Sequence, residues 1–323
     1  MEQLPAIDWD VAARTGRALV HPGPDLGAPA IADVVAELRD AASRATAFVA
    51  EVTELERPAP AEVLVVDRAS WVSAVCQSAR TMLTGVGAGT ADSALTAARA
   101  TALGAQAGGV FALVATRILG QFDPFFDAPR LLLVAPNIVT VERQLHVQPS
   151  DFRLWVCLHE ETHRFQFGHA PWLRAHLLGL FSELLEGEEL RFGWPRAGRP
   201  TSVRDLITNP AQREAFDQVT AVMSLMEGHA DVMMDRVGTT VVPSYPSIRR
   251  SFEARRDQQG WGSWVRRLLG FDLKREQYRD GAAFCRQVID AAGVATLNRS
   301  LEAPGLLPTL QEIHDPQLWL HRI

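Results

Sequence analysis

Apolar residues recur at three- and four-residue steps through most of the chain, the spacing that places them on one face of a helix. The stretch "IADVVAELRDAASRATAFVAEV" at Ile31–Val52 predicts a long helix, ended by Pro58 and Pro60. Two short runs break that rhythm. "EVLVVD" at Glu62–Asp67 reads as a strand or an extended lead into a helix from Arg68, and "RLLLVAP" at Arg130–Pro136 as a strand closed by Pro136 and Asn137. Between them, Thr90 or Asp92 caps a helix running to about Leu119, and Gln121–Pro129 is a loop. Further on, Pro149-Ser150-Asp151 supplies an N-cap and a first-turn acid for a helix that Gly168 stops, and Pro171 opens another. Asn209-Pro210 starts a long helix that Gly238 ends. Gly193–Ser202 reads as loop, Val241–Ser247 as irregular, and the tail as two or three helices broken at Gly260, Gly270, Gly293 and Pro304. No repeat, heptad array or low-complexity segment stands out. The pattern describes a mainly α fold with few short strands.

Composition narrows the class. With 323 residues, 47% of them hydrophobic and 22% charged, the chain matches an ordinary globule of one large domain or two smaller ones. A net charge of −6 offers no general basic excess for nucleic acid. Cys76, Cys157 and Cys285 are widely spaced, which reads as reduced thiols in a cytoplasmic protein. The first residues lack the basic-then-apolar order of a secretory signal. The most apolar run, Ala100–Thr116, is short for a membrane span, so a buried helix is expected and no membrane partner. Its Gly104 and Gly108, four apart, can let another helix approach closely.

Chemistry concentrates in "LWVCLHEETHRFQFGHA", Leu154–Ala170. His159 and His163 are four apart, so a helix puts both imidazoles on one face, where they can share a metal ion. Glu160 sits at the edge of that face, placed to take a proton from water without ligating. This is the His-Glu-x-x-His arrangement of zinc hydrolases, in which a fourth position stays open for water. The bland alternative is two helix-face histidines satisfied by neighbours.

The third ligand has three candidates. His169, ten residues after His159, fits a spacing that needs a glycine where Gln166 stands. Glu183, twenty after His163, has Gly187 where an acidic supporting residue would sit. Glu227, in "LMEGHADVMMD", shares a helix face with Asp231 and lies in an apolar stretch where a buried carboxylate needs a partner. Glu227 is favoured as ligand, with Asp231 orienting His159. For a donor to a developing oxyanion, the candidates are Tyr245 and His229. Gln166 could line the cleft or only support its helix. The basic run Ser247–Asp257 reads as a solvated helix face, and Trp155, Trp172 and Trp194 as core or cleft wall.

"LHEETHRFQFGHAPWLRAHL" and "MEGHADVMMD", with "DWDVAARTGRALVHPGP" and "VVDRASWV" nearer the start, resemble the zincin-like metallopeptidase family 2. These are bacterial, largely actinobacterial proteins often linked to deazaflavin-coenzyme biosynthesis. The resemblance spans most of the chain. His159, Glu160 and His163 match the family's motif, and Glu227 and Asp231 its downstream acidic segment. It implies a mostly helical zincin-like fold, Zn²⁺ as cofactor and hydrolysis of a peptide or small amide substrate. The expected organisation is one domain over 1–323, divisible into an N-terminal helical subdomain over 1–130 and a metal-site subdomain over 131–323. Two rival readings are a degenerate zincin that keeps its metal as a binding or assembly protein, and a metal-free helical scaffold.

Overall fold

The structure, a computed structural model, describes residues 6–85, 94–185, 207, 209–251 and 275–323. It is mainly helical. The order is α1 (Trp9–Leu19), α2 (Ala28–Thr53), β1 (Glu62–Val66), α3 (Arg68–Gly85), α4 (Ala94–Ala115), β2 (Gly120–Asp123), β3 (Arg130–Val134), α5 (Ala135–Leu145), α6 (Pro149–His169), α7 (Leu173–Leu185) and α8 (Pro210–Val241). After a helical stretch at 245–251 come α9 (Arg275–Ala292), α10 (Val294–Asn298), two 3₁₀ turns, α11 (Leu310–His314) and α12 (Pro316–Arg322).

The three strands form one small sheet in the order β1-β3-β2, with β1 parallel and β2 antiparallel to β3. All five residues of β3 are buried. The reason is that both faces of the sheet are covered, which is why "RLLLV" carries no polar alternation. Leu64, Val66, Leu132 and Val134 point into a core shared with α1, α3 and α4. Val63, Val65, Leu131 and Leu133 point the other way, into the main core of α2, α6, α8 and the C-terminal helices. A third small cluster joins α7 to the start of α8 through Leu180, Leu184, Ala215 and Phe216.

The long helices fall where the apolar spacing puts them. α2 ends at Thr53, with Glu54 in the left-handed conformation, before either proline is reached. Gly104 and Gly108 let α4 lie on α1: a Cβ on either would stand 2.3 Å from the Asp8 carbonyl oxygen or 2.4 Å from that of Ala12. Among the described residues no helix is long and apolar enough to cross a membrane.

Three expectations need correction. The segment from Gln121 is a loop only in its later residues, because Gly120–Asp123 pairs with β3. Pro136 and Asn137 do not simply close a strand; Pro136 sits in the first turn of α5, where its missing N–H has no helical partner to lose. α6 begins at Pro149 itself, after Gln148, so the Asp151 carboxylate is inside the first turn and accepts from the Ser244 N–H at 2.7 Å. Asn209 caps α8 as expected, accepting from the Ala211 and Gln212 N–H groups, and Gly238 breaks its helical geometry at φ 69°. Thr90, Asp92, Trp194, Gly193–Ser202, Gly260 and Gly270 lie outside the described residues.

Candidate metal centre

α6 is buried along nearly its whole length, and its polar residues are each placed by a neighbour. Glu161 is spent on structure. It pairs with Arg164, accepts from the Thr46 hydroxyl of α2 at 2.6 Å, and Arg164 in turn bonds the carbonyls of Pro58 and Ala59. With α6 clamped to α2 on that side, His159 and His163 face α8, and Glu160 faces β2.

The two histidine Nε2 atoms lie 3.2 Å apart. Glu227 on α8 brings Oε2 to 3.5 Å from His159 Nε2 and Oε1 to 3.7 Å from His163 Nε2. Among the described residues these three form one group of potential metal ligands, with donor atoms all within 4.8 Å of one another. Donors 2.0–2.2 Å from a tetrahedral zinc are separated by roughly 3.3–3.6 Å, so the observed spacings fit that ion. Three lone-pair donors converging in a partly buried site repel one another unless a cation or a proton lies between them.

The geometry also explains why the other two candidates fail. α6 runs through Gly168 to His169 without a turn, which leaves His169 roughly 15 Å along the axis from His159. Glu183 is exposed on α7 and outside the ligand group.

Glu160 is buried, with 7% of its surface exposed. Gly120 of β2 lies directly against it: a Cβ there would stand 2.5 Å from Glu160 Cγ. The Phe122 N–H, on the free edge of β2, donates to Glu160 Oε2 at 3.2 Å. Burial pushes this carboxyl up to about 7, with the Glu227 charge adding to the rise and His159 and the Phe122 N–H opposing it. For His159, burial disfavours the imidazolium, but contact with Glu227 outweighs it and raises the ring to about 9 without a metal. Burial lowers His163.

Glu227 is held in place by a close helix crossing. A Cβ on Gly228 would stand 2.2 Å from the Gly281 backbone of α9, and one on Gly281 would stand 2.1 Å from the Ser224 carbonyl oxygen. The two helices therefore touch backbone to backbone beside Glu227.

The supporting residues differ from the sequence expectation. Asp231 does not stand behind His159 as a hydrogen-bond partner; its described hydrogen bonds go to Arg249, through both carboxylate oxygens, and to Arg286. Its influence on His159 is through charge. Arg249 is thus not a solvated residue of a basic helix face, and the rest of that run, from 252 on, is outside the described residues. Tyr245 donates its single O–H to Asp235, which leaves none for an oxyanion. His229 is 2% exposed, with Nδ1 3.0 Å from Gln166 Nε2 and Nε2 turned toward Asn298, so it faces the interior. Burial pushes it down to about 4. Trp155 is core, and Trp172 donates to the Leu301 carbonyl at 3.1 Å. All three cysteines are buried and unpaired with one another.

Sequence reasoning gives Gln166 no firm role, yet it is fully buried and bonded to His163. Its three-residue step from His163 is the available signal. Gly120 and Phe122, about 40 residues from the motif, carry none.

No curated protein sequence matches the chain. Among solved structures it is similar to a protein from Chloroflexus aurantiacus, described as a candidate hydrolase with a novel fold, at 30% identity over 98% of both chains and a TM-score of 0.72. The sequence profile of one family, described as zincin-like metallopeptidase, matches residues 7–320. That match takes in α6, β2 and α8 together, and the chain belongs to the zincin-like metallopeptidase family.

Proposed function

We propose that the protein is a zinc-dependent hydrolase of a peptide or related amide bond. The observation that carries the reading is the convergence of His159, His163 and Glu227 at zinc-compatible spacing beside the buried carboxylate of Glu160. The family membership and the solved relative described as a candidate hydrolase support the same reading. A bound zinc supplies Lewis acidity, polarising the scissile carbonyl and acidifying water. His159 and His163 offer neutral Nε2 atoms, and Glu227 supplies the negative charge that offsets the cation. Glu160 takes the proton of the attacking water and then delivers it to the leaving amine. Tyr245 is not assigned to oxyanion stabilisation because its O–H goes to Asp235, and His229 is not because its ring is buried and faces Gln166 and Asn298.

A second reading is a zincin that keeps its metal without cleaving. It is favoured by the cover over Glu160, which Gly120 and Phe122 both contact. Assaying the zinc-loaded protein and Glu160→Gln on a broad peptide library tests both. Cleavage abolished by the substitution supports the first reading; zinc retained with no cleavage supports the second.

A further inference from the structure

Gln166 lies one turn beyond His163 on α6 and is fully buried. Its Oε1 is 2.9 Å from His163 Nδ1. Its Nε2 is 2.9 Å from the Met226 carbonyl oxygen and 3.0 Å from His229 Nδ1. The two ends of an amide have the same outline, so its orientation follows from what its neighbours accept or donate. A backbone carbonyl only accepts. Gln166 Nε2 must therefore face Met226, and Oε1 must face His163. Oε1 also only accepts, so His163 Nδ1 carries the ring hydrogen and Nε2 keeps its lone pair, directed at Glu227 and His159.

The same step extends inward. Gln166 Nε2 only donates, so His229 Nδ1 accepts, and the hydrogen of that ring sits on Nε2. That nitrogen is buried beside Asn298, and neither it nor Asn298 Oδ1 has a well-formed hydrogen bond among the described residues. Asn298 Nδ2 is anchored on the Thr53 carbonyl of α2 at 2.7 Å. One side-chain amide thus touches a ligand histidine of α6 and the peptide immediately before the ligand carboxylate of α8.

We infer, taking the metal site as read above, that Gln166 is a positioning residue for metal binding, fixing the His163 tautomer that presents Nε2, with His229 holding the Gln166 amide in place from behind. A carboxylate often performs this task for a ligand histidine. Here a neutral amide does so, because its other end must also serve a carbonyl that a carboxylate would repel.

The test compares zinc affinity in wild type, Gln166→Met and Gln166→Glu, with melting temperatures measured alongside. Met keeps the length and loses the acceptor; Glu, which burial favours in its protonated form, keeps an acceptor toward His163 and a donor toward Met226. The expected result is a roughly 10–100-fold loss in Gln166→Met and recovery to within about threefold of wild type in Gln166→Glu. Wild-type affinity in Gln166→Met overturns the inference, as does a loss in both variants that tracks their melting temperatures. Long-range ¹H–¹⁵N spectra of the zinc-loaded wild type need no variant: Nδ1–H on His163 and Nε2–H on His229 are expected, and the opposite tautomer on either ring overturns it. Wild type that binds no zinc removes the metal reading itself, a result distinct from unchanged affinity in the variant.

Discussion

Gly120 lies flat against the Glu160 side chain, with room for a hydrogen and none for a methyl group, since a Cβ would stand 2.5 Å from Cγ and 2.9 Å from Oε1. The edge of the sheet thereby sets where the candidate base can be. Gly120→Val is expected to displace Glu160 without touching any ligand. Zinc content should stay near that of wild type, while cleavage of any substrate found falls by at least about tenfold, a barrier change of roughly 1.4 kcal/mol. Full activity in a Gly120→Val protein with a shifted Glu160 would show that the carboxylate is not the base.

Purified protein is expected to hold one zinc per chain, and His163→Ala to lose it. Saturating zinc at 100 times its Kd stabilises a folded protein by about 2.7 kcal/mol, which for a chain of this size raises the melting temperature by roughly 5 °C. Elemental analysis and melting with and without a chelator check this. Unchanged zinc in His163→Ala removes the site.

Glu160 also predicts a pH dependence of stability in the zinc-free protein. Burial raises its folded-state pKa to about 7, well above the ordinary value of 4.5. A carboxyl raised in this way favours the fold at pH below its unfolded value, and that contribution is lost as pH climbs through 7. Glu160→Gln removes the titration. The variant should therefore be more stable than wild type at pH 8, by up to a few kcal/mol, with the difference shrinking toward pH 4. Denaturant melts at the two pH values measure it; a difference independent of pH would contradict the assigned burial effect.

The crossing of α8 and α9 gives a fourth expectation. Gly228→Ala forces a methyl group onto the Gly281 backbone, 2.2 Å from its carbonyl carbon, where no flexible side chain can yield. Overpacking of this kind costs roughly 1–3 kcal/mol. Because Glu227 is the preceding residue, zinc affinity should fall as well. Gly238→Ala, at a position with open space but φ 69°, should reduce stability while leaving zinc affinity unchanged. Equal effects of the two substitutions on zinc would mean that the crossing does not place the ligand.

What the sequence made legible was local. The step from His159 to His163 is a property of one helix, so their shared face could be read directly. The long apolar periods of α2, α6 and α8 were equally plain. Glu227 could be chosen because a carboxylate in so apolar a helix needs a partner. Asp231 shows the limit of that reasoning: a four-residue step says that it shares a face with Glu227, but not that Arg249 and Arg286 reach it first. The links of Gln166 to Met226 and of Asn298 to Thr53 join residues 60 and 245 positions apart, and no period reveals such pairs. β2 was missed because four residues including a glycine and an aspartate carry no strand signature of their own. It is held in place by β3 and by Glu160.

The backbone contact between Gly228 and Gly281 also bears on how the site comes into being during synthesis. His159 and His163 leave the ribosome on a helix that can form at once, but the helix that braces Glu227 against them follows only with residue 281. At about 5–20 residues per second, the 118 positions from 163 to 281 take roughly 6–24 s to make. For that interval the nascent chain carries two paired histidines without the braced carboxylate that completes the set. Glu227 itself emerges partway through that interval, 64 positions after His163, but without its brace. On the metal reading proposed above, the braced three-ligand set is therefore assembled only after residue 281 has been made.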